Sequence, residues 1–89
     1  MYKEAKILAK VDVLNPKELK PAVEKYLGAL AGKIICPLQL WYEGLGGQGV
    51  PNPQEMQAIE ETIGKTPGWT NAGETRFEKF GMQQSFKRV

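Results

Sequence analysis

The chain has no histidine and a single cysteine, Cys36, among its 89 residues. The first absence removes the Ser-His-Asp and Cys-His arrangements of hydrolytic catalysis, and every zinc set that uses imidazole. The second removes an internal disulfide and any site built from several thiolates. Standing between Ile35 and Pro37, with no imidazole or second thiol to lower its pKa, Cys36 reads as a small hydrophobe and not as a nucleophile. Long apolar runs are missing as well. The longest uncharged one, Ile34 to Tyr42, is nine residues and contains Pro37 and Gln39, against about 18 for a membrane span. Lys3, Glu4, Lys6 and Lys10 interrupt the first apolar stretch, so no secretory signal is expected. With so little cysteine, this points to a cytoplasmic protein with no membrane partner. The net charge is small too: 12 basic against 10 acidic residues leave +2, which describes a mixed, solvated surface.

What is present is the composition of a folded domain. The apolar share is 42% and the charged share 25%, with two Trp and three Phe, values outside the range of disordered chains. Residues 1–89 are expected to form a single domain. A chain of this size buries about 60 to 65% of the surface that its unfolded form exposes, so its core is marginal and help from a partner or a second copy is expected.

Residues 5–14 alternate, with Ala5, Ile7, Ala9, Val11 and Val13 on one side and Lys6, Leu8, Lys10 and Asp12 on the other, the pattern of a half-buried strand. Asn15-Pro16-Lys17-Glu18 then supplies an N-cap, a proline at the first helical position and a glutamate two residues on. Leu19, Ala22, Val23, Tyr26, Leu27 and Leu30 follow at helical spacing. Pro21 predicts a first turn over 16–19 and a main helix from Pro21, closed by Gly32 in a left-handed conformation. Lys33 to Glu43 is apolar on both sides and reads as a second strand, with Pro37 marking an edge or a break. Gly44 to Pro53 is a loop, and Asn52-Pro53-Gln54-Glu55 repeats the helix start ahead of the stripe Met56, Ile59, Ile63 that ends at Gly64. Gly68 to Gly73 reads as turn-rich. Residues 71–80 favour strand over helix, and 80–88 alternate as a last strand, so the two form a hairpin or one long bent strand. The expected fold class is α+β, with two helices packed on one face of a small, mainly antiparallel sheet. Its β-α-β-α-β(β) order is similar to that of split β-α-β sandwiches.

Three candidate sites follow. Trp41, Tyr42, Leu45 and Gln48 are the expected partner-binding residues, because exposed aromatics anchor interfaces, the two-sided strand lacks a second cover, and loops on a rigid scaffold carry recognition. Gly44, Gly46, Gly47 and Gly49 satisfy G-x-G-x-x-G and, with the helix start at Asn52, offer a place for an anion or nucleotide. Val50 to Pro53 intervenes before that helix, however, and no acidic residue follows at the spacing of a dinucleotide site. Trp41, Tyr42 and Trp69 near basic residues suggest base stacking, although no RNA-binding consensus is present. Glu55, Glu60 and Glu61 form a solvated acidic face and not a metal site. The reading is therefore a non-catalytic protein-binding module of the adaptor or inhibitor kind, not an enzyme and without a cofactor. It is expected to bind another protein or itself; nucleic-acid binding and anion binding at residues 44–49 are the alternatives.

Overall fold

The computed structural model describes residues 11–89. Helix α1 spans Pro16–Ala29, strand β1 is the pair Ile34–Ile35, and helix α2 starts over Pro37–Gln39 and continues as a π-helical turn over Leu40–Gly44. Helix α3 spans Pro53–Lys65, and strands β2 (Trp69–Phe77) and β3 (Gly81–Arg88) form a hairpin. The sheet has the order β1-β3-β2 and is antiparallel throughout. The expected α+β class holds, with a third, short helical element added. Residues 5–10 of the first expected strand lie outside the described residues. Its remainder is a turn, closed by the Asn15 N–H donating to the Asp12 carbonyl at 2.9 Å.

Both Asn-Pro starts cap helices, by different means. Asn52 accepts from the Glu55 N–H at 2.8 Å while the Glu55 carboxylate accepts from the Asn52 N–H at 2.9 Å, a full capping box. Asn15 accepts from the Lys17 N–H at 3.1 Å, and Glu18 reaches past it to the Asp12 N–H at 3.0 Å.

Two details of α1 differ from expectation. The helix runs through Pro21 without a break, which keeps Leu19, Val23 and Leu27 in phase on one buried stripe. Pro21 cannot donate to the Lys17 carbonyl, but both residues are exposed, so water can reach that group. The helix ends with Leu30 extended and its N–H on the Leu27 carbonyl. Gly32 takes no left-handed conformation.

The largest correction concerns residues 33–43, which form two strand residues followed by a helix. Cys36 is extended, as a residue before proline prefers, and Pro37 opens α2 at the first helical position, where its missing N–H costs nothing. The run is apolar on both sides because Ile35, Cys36, Leu40 and Trp41 are all fully buried.

The core gathers Leu19, Val23 and Leu27 from α1, Leu40 and Trp41 from α2, Ile59 and Ile63 from α3, and Ile35, Trp69 and Phe86 from the sheet. At the sheet's proximal end Arg88 lies 5.0 Å over the Trp69 ring and donates to the Leu27 and Leu30 carbonyls at 3.0 and 2.7 Å. It thus satisfies the end of α1 that has no basic residue of its own. The stretch 68–73, expected as turns, is largely strand with a bulge between Asn71 and Gly73. Gly73 sits there at φ 75°, a conformation that a side chain would strain. Among the described residues no helix is long and apolar enough to cross a membrane.

Candidate functional site

The glycine-rich segment after α2 is a wrapper around one side chain. The Leu45 N–H donates to the Leu40 carbonyl at 2.9 Å, continuing the π-turn, and the Gly47 N–H donates to the Trp41 carbonyl at 2.8 Å. The chain then crosses the Trp41 indole, whose Nε1–H donates to the Gly49 carbonyl at 3.1 Å. A Cβ at position 47 would overlap the indole ring, so glycine there permits the close approach. Position 44 is under a similar constraint, since a Cβ there would stand 2.8 Å from both the Tyr26 ring and the Leu40 side chain.

This arrangement corrects the expected exposure of two site residues. Trp41 is fully buried and Leu45 is 1% exposed; both belong to the core. The loop closes on α2, so apolar groups that had no cover in a strand reading acquire one. Tyr42 (37% exposed) and Gln48 remain on the surface. The base-stacking alternative loses its flat aromatic face for the same reason, because Trp41 and Trp69 point into the core. Two of the groups expected to cradle an anion, the Gly47 and Asn52 N–H groups, are already engaged. Gly47 donates within the wrapper, and the Glu55 carboxylate occupies the start of α3 beside Asn52. A carboxylate in that place disfavours a second negative charge.

Sequence reasoning missed what Tyr42 meets. Its ring stacks on Phe80 at the tip of the β2–β3 hairpin, with centroids 6.0 Å apart and planes within 3°. Beside the pair, Lys79 and Glu43 are 3.9 Å apart across open surface, a contact worth little alone. Behind it the Tyr26 hydroxyl donates to Glu43 at 3.1 Å and accepts from Gln39 at 3.4 Å. The hairpin tip, α2 and α1 thus meet along one ridge, with the exposed Tyr42 ring and the half-buried Phe80 ring on it and the buried Trp41 beneath the adjoining backbone. Glu60 and Glu61 lie elsewhere, on an open groove of about 440 Å³ with Thr70, Asn71, Gln84 and Phe86. Among the described residues no group of three or more Cys, Asp or Glu side chains gathers as a metal site would require.

Burial raises the pKa of Cys36 above its ordinary 9.0 and that of Tyr26 above its ordinary 10.0, and in both the loss of solvent is the largest cause. The unfolded chain ionises these groups at the ordinary values while the folded domain still holds the protons. The folded state then binds more protons, and stability falls as pH rises. Urea unfolding is expected to show no pH dependence from these two groups between about pH 7 and pH 8, and a decline above about pH 9. Cys36→Ala should remove the first part of that decline, and thiol reagents should label native Cys36 far more slowly than the unfolded chain.

Comparison of the chain with protein-family models, curated proteins and solved structures finds no match.

Proposed function

We propose that this domain is a non-catalytic protein-binding module of the adaptor or inhibitor kind, and that it docks its partner on the ridge formed by Tyr42 and Phe80. The observation that carries this reading is the stacked pair itself. The exposed Tyr42 ring and the half-buried Phe80 ring hold each other in place, so little side-chain freedom remains to be lost on binding. Interfaces place their energetic anchors on such rings. Gln48, on the loop that leaves α2, offers a polar group for the rim. The buried, unpaired Cys36 suits a reducing cytoplasm, where the thiol stays as it is.

The test compares the tagged wild-type protein with a Tyr42→Ala/Phe80→Ala variant in affinity capture from the source cells, with bound protein and nucleic acid both identified. The double change is expected to cost about 1 kcal/mol of stability through the lost ring pair, leaving the domain folded. It should also weaken retention of one defined protein about tenfold or more. Equal retention by both forms, or a stoichiometric oligonucleotide or nucleotide in place of a protein, would overturn the reading.

A further inference from the structure

We propose that the protein pairs with a second copy of itself, edge to edge along β2, in the antiparallel register that sets Glu74 opposite the partner's Arg76. This goes beyond the ridge proposed above and uses a different surface. The order β1-β3-β2 leaves β2 at the margin of the sheet, and among the described residues no strand lies on its outer side. An edge strand offers a row of main-chain donors and acceptors to any complementary strand. Natural edges are commonly blocked by lysine, proline or a bulge. β2 contains neither lysine nor proline, and its one bulge lies between Asn71 and Gly73, leaving residues 74–77 as a regular segment whose two charges, Glu74 and Arg76, are of opposite sign.

The sequence Gly73-Glu74-Thr75-Arg76-Phe77 is complementary to its own reverse. Pairing about a twofold axis at Thr75 puts Glu74 opposite the partner's Arg76 and Arg76 opposite the partner's Glu74, on one face of the joined sheet. On the other face Phe77 covers the partner's Gly73, a cross-strand combination that offsets the poor packing of a glycine in a strand. Within its own hairpin Glu74 faces Gln84 and Arg76 faces Met82, so neither charge meets an opposite one across β3. Both side chains are exposed and free to reach outward.

The alternatives are worse. The outward-pointing main-chain groups belong to every second residue, so the register can shift only by two residues at a time. One such shift sets Glu74 opposite the partner's Glu74, and the other sets Arg76 opposite the partner's Arg76. Like charges directly opposite are destabilising. A larger shift towards the start of β2 draws the bulge into the ladder, and one towards its end leaves almost no strand to pair.

The test uses two single variants, Glu74→Arg and Arg76→Glu, in sedimentation at several protein concentrations and low salt, with circular dichroism to establish folding. The wild type is expected to dimerise in a concentration-dependent way that weakens as salt is added. Each single variant places like charges at both contacts and should associate about tenfold more weakly or less. Mixed together, the two variants oppose two arginines to two glutamates and should form a mixed dimer near wild-type affinity. The doubly exchanged chain, E74R/R76E, should recover self-association. A wild type that stays monomeric at high concentration, single variants that dimerise like the wild type, or a mixture no better than its components would each overturn the proposal. The ridge is untouched in all of these variants, so retention of a ridge partner by monomeric E74R would leave the docking reading intact, and its loss in Y42A/F80A would leave the dimer intact.

Discussion

Trp41→Ala is expected to remove about 3 to 5 kcal/mol of stability. A chain of this length holds roughly 4 to 13 kcal/mol in total, at roughly 0.05 to 0.15 per residue, so the change takes a large share and leaves much of the population unfolded at physiological temperature. The size of the effect follows from what the indole does. Its ring is fully buried among residues of α1, α3 and the sheet, so truncation leaves a cavity that several elements line. The Gly49 carbonyl loses its donor, and the glycine segment loses the surface on which it is folded. Trp41→Phe keeps most of the apolar volume and drops the hydrogen bond, so it should fall between the two. Urea denaturation followed by the fluorescence of Trp69 measures all three proteins. A Trp41→Ala midpoint close to that of the wild type would mean that the wrapper is not held by the indole.

The parts of this fold that were legible in the sequence are those where one local rule settles the outcome. Asn52 and Glu55 sit at capping-box spacing, and the box forms. Leu19, Val23 and Leu27 recur at i+4, and that stripe is buried. Alternation over 80–88, with turn residues ahead of it, became one arm of a hairpin. Residues 33–43 failed because a short run that is apolar on all sides carries no period; a buried strand and a buried helix look alike in it. The signal that distinguishes them was Pro37, which is ordinary at the first position of a helix and out of place within a sheet. From there the buried positions recur as Cys36 and Pro37, Leu40 and Trp41, then Leu45, close to helical spacing. The candidate site was misread for a related cause. Glycines at 44, 46, 47 and 49 read as an anion cradle, whereas at Gly47 the missing Cβ serves a contact with the indole. The Tyr42–Phe80 pair had no local signature at all, because it depends on the hairpin's length bringing its tip back to α2.

These readings make opposite claims about Leu45 and Gln48, neighbours in one loop. As a recognition loop that stands off its scaffold, the segment would tolerate Ser at both positions. As a wrapper it separates them. Leu45→Ser is expected to cost about 2 to 5 kcal/mol for the lost side-chain volume and about 1 to 3 kcal/mol more if the new hydroxyl finds no partner, enough to unfold a large fraction of the protein. The reason is that Leu45, 1% exposed, packs in the same cluster as Leu40 and Trp41, while its own N–H holds the end of the π-turn. Gln48 is exposed, with the tight approach to the indole made by Gly47 beside it, and Gln48→Ser should stay within about 0.5 kcal/mol of the wild type. Thermal melts of the two single variants measure the contrast, with Leu45→Ser lowered by many degrees and Gln48→Ser nearly coincident with the wild type. Leu45→Ser melting with the wild type would show that the segment stands free of the core. With the contrast as expected, Gln48 is the one of the two left free to touch a partner, and Leu45 acts on recognition through the shape it gives the loop.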